Sequence, residues 1–349
     1  MTDDTKCKIA LKMLTFFANE GNPMKIFEKK TKHHYVWAHY LRDWTIDGTN
    51  IWYITKKSNI ACDSVRGLGF EKNFYKMGEL QESDKELINL MVSKSNDVLR
   101  KIHLDFVNMI FEGQKIISLL APRVKGKLGL NLEEIMQCNL FENYLSQLES
   151  RAVEILSELK KDNLSYLEDK ETYYDFCYFL GYQFSRTLKM KKLFILALDK
   201  TPGKPQVLER LKDFYNRNWW FMCSFMGTNL SYDLSLNTNR KTILLENIST
   251  IDFITSDQPV INLHPDGSEG KSIDYYYPLS SRKALLILTS NEKYFSSHQL
   301  NNDNVHMLNC KIANASCKTI FGKNKELIKM YLNEFNQRKY LEFSGNKID

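Results

Sequence analysis

No apolar run in this 349-residue chain approaches the roughly 20 residues that a bilayer-spanning helix needs. Its seven cysteines show no CxxC and no finger-like spacing. Zinc ribbons and disulfide scaffolds are thereby excluded, and an odd number of thiols suits a reducing compartment. The opening Met1-Thr2-Asp3-Asp4-Thr5-Lys6 is polar and acidic, unlike a secretory leader. Internal repeats and low-complexity segments are missing, as are the acid constellations of HNH, PD-(D/E)xK or DEDD-like nucleases. Gly67-Leu68-Gly69 lacks the third glycine and the preceding strand of a phosphate loop, so it reads as a turn. These absences lead us to expect a soluble cytoplasmic protein with no membrane partner.

What is present is a globular composition, 43% hydrophobic and 26% charged, with a net charge of +6. Such a balance leans mildly towards anionic partners without resembling a histone-like polycation. We expect one domain over 1–349 with three subregions: a signature segment and hairpin (1–80), a helical block (81–230), then strands and terminal helices (231–349). The expected fold class is α+β, a helical middle beside a small sheet built from the N-terminal hairpin and C-terminal strands.

Residues 5–19 read as an amphipathic helix stopped by Gly21-Asn22-Pro23. Lys32 to Trp44 then packs three of the seven histidines and two of the five tryptophans together. Taken as a helix, it sets His33, Trp37, Tyr40 and Trp44 on one stripe and Tyr35, His39 and Arg42 on another. Asn50–Thr55 and Ile60–Cys62 read as a hairpin. Helical patterns follow over Ser83 to about Gly113, opened by a Ser83–Glu86 capping box, and over about Asn131–Lys161, Lys170–Lys200 and Gln206–Gly227. Strands are expected at 241–246, 249–255, 275–278 and 284–288, and helices at about 299–321 and 325–338. Cys177, Cys223, Cys310 and Cys317 read as core fillers.

Three constellations could carry chemistry. In His33-His34, adjacent rings point in different directions, so one can serve a site while the other packs or caps. Gln183 and Arg186 stand three apart on a helix whose other face is apolar. A planar amide beside a guanidinium can clamp phosphate or carboxylate; the alternative is a buried arginine that only pairs with an acid. Asp257, in Thr255-Ser256-Asp257-Gln258-Pro259-Val260, falls at a strand end where scaffolds present functional groups, or where an Asp simply accepts turn amides. Asn309, on a small-residue helix face, is a further candidate.

Lys32-His33-His34-Tyr35-Val36-Trp37, Tyr40-Leu41, Trp44-Thr45 and Asp47-Gly48 resemble the opening of the domain-of-unknown-function family 4238. The likeness continues through Phe70–Lys76, Gln183-x-x-Arg186-Thr187, Ser256-Asp257-Gln258-Pro259-Val260 and Tyr277-Pro278-Leu279-Ser280, with Asn309 in its last motif. Where the family's common form has Pro-Gln-Phe, this chain has Trp37-Ala38-His39, so the resemblance gives His39 no role. The family implies positions without a reaction.

Convergence of these distant polar motifs would make one site. The leading expectation is a phosphodiester hydrolase, a nuclease of the toxin or phage-defence kind. His33 or His34 would be its acid or base, Arg186 would meet the phosphate, and Asp257 would act with them. Tyr35, Gln183, Thr187 and Asn309 would touch substrate. A divalent metal, if used, would fall to His34 and Asp257. The alternatives are a module that binds a nucleotide or nucleic acid without turnover, its aromatic residues stacking on bases, and an interaction protein whose polar motifs only lock the N-terminal segment to the C-terminal sheet.

Overall fold

The computed structural model describes residues 27–264 and 273–343, and the helix expected over 5–19 lies outside them. The fold is α+β. A two-stranded antiparallel ribbon joins β1 (Lys32–His34) to β4 (Phe70–Lys72). A second sheet runs β3-β2-β11-β6, from β2 (Asn50–Ile54), β3 (Ile60–Ser64), β6 (Thr255–Ser256) and β11 (Ile320–Gly322). A third runs β10-β5-β9-β8-β7, from β5 (Lys241–Asn247), β7 (Ile261–Asn262), β8 (Tyr275–Pro278), β9 (Lys283–Leu288) and β10 (Gln299–Leu300). The hairpin β2–β3 is thus completed by strands more than 190 residues away, which a lone two-stranded hairpin in water would need.

Between the strands stands the helical block: α2 (Glu82–Val92), α3 (Asp97–Leu128), α4 (Leu132–Lys160), α5 (Lys170–Ser185), α6 (Leu188–Lys200), α7 (Pro205–Arg217) and α8 (Trp219–Leu236). Several expected helices divide, most at a residue whose side chain caps the helix that follows. The helix expected from Ser83 begins after Gln81, which shares its capping box with Asp84, and ends at Val92. Asn96 then caps α3, which continues past Gly113 and Pro122 to a left-handed Gly129. The 170–200 stretch breaks at Arg186-Thr187, where the Thr187 hydroxyl accepts the Met190 amide and starts α6. Asn218 separates α7 from α8. Asn131, capping α4 through the Glu134 amide, opens a helix where expected, and α5 begins at Lys170 as expected.

The signature segment is not one helix. Its first residues form β1, and helix α1 covers only Ala38–Leu41, followed by a 3-10 turn at Arg42–Trp44. Tyr40 and Trp44 still share a face, now as anchors: the Tyr40 hydroxyl donates to the Pro278 carbonyl (2.8 Å) and the Trp44 indole to the Phe253 carbonyl (2.9 Å). The 249–255 strand shrinks to Thr255–Ser256. The expected 299–321 helix becomes β10, α9 (Asn302–Ala315) and β11, followed by α10 (Lys325–Met330) and α11 (Leu332–Phe343). Cys177, Cys223 and Cys317 are buried as expected, whereas Cys310 is only half-buried, its sulfur 3.6 Å from His306 Nε2.

The closest helix pair, α5 against α8, sets the site. A Cβ on Gly181 would stand 2.6 Å from the Gly227 carbonyl, and one on Gly227 would stand 2.8 Å from the Tyr182 ring, so two glycines let the backbones touch. Tyr182 fixes the contact by bonding Ser224 (3.0 Å) and Thr228 (3.1 Å). With that side of α5 committed to α8, Gln183 and Arg186 are left for α4.

Candidate functional site

Helix α4 is buried on most of its circumference, yet it carries Asn139, Glu142, Asn143, Ser146 and Glu149 at helical spacing. Glu149 Oε1 meets Arg186 Nη1 at 2.7 Å, and Arg186 Nη2 donates to Gln183 Oε1 at 2.7 Å. The Arg186 carbonyl accepts the Tyr75 hydroxyl (2.7 Å), which pins the end of α5 beneath the ribbon. From the ribbon, the His34 amide donates to Glu142 Oε1 (3.3 Å), and its ring is held by the Arg66 main chain. Lys30 reaches across to Asn143 Oδ1 (2.6 Å).

Five buried atoms of this cluster have no hydrogen-bond partner among the described residues: His34 Nε2, Glu142 Oε2, Gln183 Nε2, Arg186 Nε and the Tyr277 hydroxyl. Arg186 is 2% exposed, Gln183 1% and Tyr277 0%. Gln183 bonds Arg186, the His34 amide bonds Glu142, and the Arg186 charge acts on His34, Glu142 and Tyr277. A buried polar atom without a partner costs about 1–3 kcal/mol. Five of them would cost on the order of 5–15 kcal/mol, the size of a domain's whole stability.

The protonation states follow from burial. Burial, and next the charge of Glu149, push the Glu142 carboxyl up to about 8, so it is protonated at neutral pH. Oε1 accepts the His34 amide, which assigns the proton to Oε2. Glu149 is also raised by burial, against the pull of Arg186. The His34 ring is lowered by burial, with Arg186 and Lys32 adding to the effect, so it is neutral. Burial holds Tyr277 well above the usual phenol range. The inventory is therefore four donors, from Arg186, Gln183, Tyr277 and Glu142, around one acceptor, His34 Nε2.

The other sequence candidates have different surroundings. His33 is fully buried. Its Nδ1 accepts the Tyr75 amide (2.8 Å) and its Nε2 lies 3.1 Å from the Lys30 carbonyl, so both ring nitrogens serve the main chain. Burial drives its pKa down to about 4. Tyr35 is buried against Phe74. Asp257 accepts the amides of Cys317 (2.6 Å) and Lys318, and its charge acts on Tyr35. The Thr187 hydroxyl donates to Gln258 Oε1, and Gln258 in turn donates to the carbonyls of Phe184 (3.2 Å) and Val260 (2.8 Å). Asn309 accepts the Ile254 amide (2.9 Å) and donates to the Asp252 carbonyl (2.9 Å), in the smaller hydrophobic core formed by α9 and the C-terminal sheets. His34, Gln183 and Arg186 are thus brought together, while Asp257, Thr187 and Asn309 tie strands to helices.

Among the described residues, no group of three or more His, Cys, Asp and Glu is placed to hold a metal ion, and no helix is long and apolar enough to cross a membrane. Sequence reasoning missed Glu142 and Glu149. Their signal was a polar row within an otherwise apolar helix.

The model of the family described as a protein of unknown function, DUF4238, matches residues 32–326, most of the chain. The chain belongs to that family. DUF4238 begins here on the strand that carries His34 and ends beyond β11, so every residue of the cluster falls inside it. Neither a curated protein nor a solved structure matches the chain.

Proposed function

We propose that the chain is a phosphodiester hydrolase, a nuclease-type enzyme of the toxin or phage-defence kind, whose site is the cluster centred on Arg186. The supporting observation is the set of four buried donors and one buried acceptor around that guanidinium. A tetrahedral oxyanion needs several donors, and hydrolysis adds the need for one base and one acid. His34 Nε2 takes a proton from water as the water oxygen bonds phosphorus. The ester P–O bond breaks, and Glu142 Oε2 gives its proton to the departing oxygen. The products are a phosphomonoester and an alcohol. Proton return from the imidazolium to the Glu142 carboxylate restores both groups. Arg186, Gln183 and Tyr277 hold the phosphoryl oxygens while charge develops on them, and Glu149 keeps the guanidinium oriented. We assign His33, Asp257, Thr187 and Asn309 to the frame.

One observation favours the non-catalytic reading, in which the same groups only bind a nucleotide: Arg186 already spends both terminal nitrogens on Glu149 and Gln183. Incubation with RNA, DNA and a small chromogenic diester, with and without a chelator, decides between them. Turnover that disappears in His34→Ala supports hydrolysis, and its sensitivity to the chelator shows whether a divalent metal takes part. Binding without turnover supports the module. Turnover surviving His34→Ala contradicts the assignment.

A further inference from the structure

The ribbon that carries His34 is also where the chain's positive charge collects. Residues 28–35 and 66–76 hold Lys29, Lys30, Lys32, Arg66, Lys72 and Lys76 against Glu28 and Glu71. Six cations less two acids leave +4 within 19 positions, out of a net +6 for all 349 residues. Contacts sharpen the imbalance. Glu71 is neutralised by Lys318, and of the six cations only Lys29 meets an acid, Glu134, at 3.0 Å. Lys30 spends its ammonium on the neutral amide of Asn143. Lys32, Arg66, Lys72 and Lys76 make no ion pair among the described residues.

Strand register sets two of these lysines face to face. The amides of Tyr35 and Asn73 donate to the carbonyls of Gly69 (2.9 Å) and Thr31 (2.8 Å), so by alternation the bonded pairs are 31–73, 33–71 and 35–69. Lys32 and Lys72 are the non-bonded pair between them, the kind in which side chains come closer, and both are exposed. Like charges directly opposite each other destabilise a sheet, and an anion held between them reverses that effect. Side chains alternate along a strand, so the same face presents His34 and the half-buried ring of Phe70, their centroids 5.7 Å apart. The Lys32 ammonium lies 5.1 Å from the Phe70 centroid, and the exposed Arg66 holds the His34 ring through its backbone. A nucleic-acid strand uses both kinds of group: its phosphates take the cations and a base takes the ring. An anionic lipid surface or an acidic peptide would use the lysines and leave the ring without a role.

We propose that this face of the ribbon binds a single-stranded nucleic acid, with backbone phosphates on Lys32, Lys72 and Arg66 and a base on Phe70. As the substrate of the enzyme, the strand rests on the hydrolase reading; its binding requires only the exposed side chains of the ribbon.

The test is fluorescence anisotropy of a labelled single-stranded RNA, and of the DNA of the same sequence, against the full chain carrying Glu142→Gln to keep the strands intact. Three phosphate contacts predict that log K falls with log salt at a slope of about −2. Lys32→Ala/Lys72→Ala should flatten that slope by about 1.4 and weaken binding about tenfold at low salt. Lys56→Ala/Lys57→Ala, which removes two exposed lysines from the β2–β3 turn, should leave both unchanged. Phe70→Leu, which keeps an apolar side chain but loses the ring, should weaken binding about tenfold without altering the slope. Binding of either strand in this pattern supports the assignment. Equal changes in the two lysine variants, wild-type binding by Phe70→Leu, or duplex DNA bound as tightly as the single strand overturns it. So does binding of phosphatidylserine vesicles, with the same lysine dependence, in place of the strand. Turnover of the small chromogenic diester by the wild-type chain reports separately on hydrolysis. Lys32→Ala/Lys72→Ala should leave that turnover unchanged, and its absence from the wild type fails the hydrolase reading while the binding result stands.

Discussion

Two regions bury polar side chains to the same depth and treat them differently. Along the seam joining the C-terminal strands to α9, Asp257 takes two backbone amides, and Asn309 both accepts and donates. Around Arg186, buried Glu142, Gln183, Arg186 and Tyr277 and half-buried His34 leave five atoms without partners among the described residues. Residue type is alike in the two, and what differs is how the polar atoms of these particular residues are paired. A buried carboxylate that accepts two amides fixes a loop. A buried carboxyl that keeps its proton and turns it to an unpaired oxygen can donate to a ligand.

The most severe way to break this contrast is to remove the hub. Arg186→Met leaves Glu149 buried without its cation and should destabilise the fold by about 3–5 kcal/mol in urea denaturation. Adding Glu149→Gln should recover much of that loss. If the single variant costs nothing, the ion pair is not the buried contact described above.

Asp257→Asn should cost about 1–3 kcal/mol, because one oxygen that receives a main-chain amide becomes an NH₂. Turnover normalised to folded protein should stay at the wild-type level. A stable Asp257→Asn protein without turnover would move Asp257 back among the reacting groups.

In pH dependence the two kinds of buried group have opposite signs. Glu142 holds its proton more tightly when folded, with a pKa of about 8 against an ordinary 4.5. Its contribution to stability is full below 4.5 and is lost as pH rises towards 8. His33 is the reverse, lowered from 6.5 to about 4, so its contribution is present above 6.5 and lost as pH falls towards 4. Melting temperatures across this range should show Glu142→Gln flattening the alkaline side alone. The wild-type turnover should decline on that same side as Glu142 loses its proton.

Much of this was legible before any coordinates. Asn131 caps its helix as its spacing with Glu134 predicts, and the hairpin and the 275–278 and 283–288 strands fall where alternation puts them. Polar residues at helix breaks decided the errors. Thr187 and Asn218 look like helix interior until Thr187 is seen capping α6 and Asn218 sitting at the break between α7 and α8. His33 and His34 were separable in principle but not in fact: one-residue alternation on a strand sends them to opposite faces, whereas the surrounding pattern suggested a helix. Gln183 and Arg186 were found as a pair because both lie on one helix. Their partner Glu149 stands on another, 37 positions earlier, and nothing local to either helix links the two.

The most direct test of the central claim compares three proteins in one assay: wild type, Glu142→Gln and Asp257→Asn, each normalised to its folded fraction, acting on the chromogenic diester. The expected result is a loss of about 100-fold or more in Glu142→Gln, the scale of a removed general acid, with Asp257→Asn close to wild type. Glu142→Gln working at the wild-type rate would contradict it.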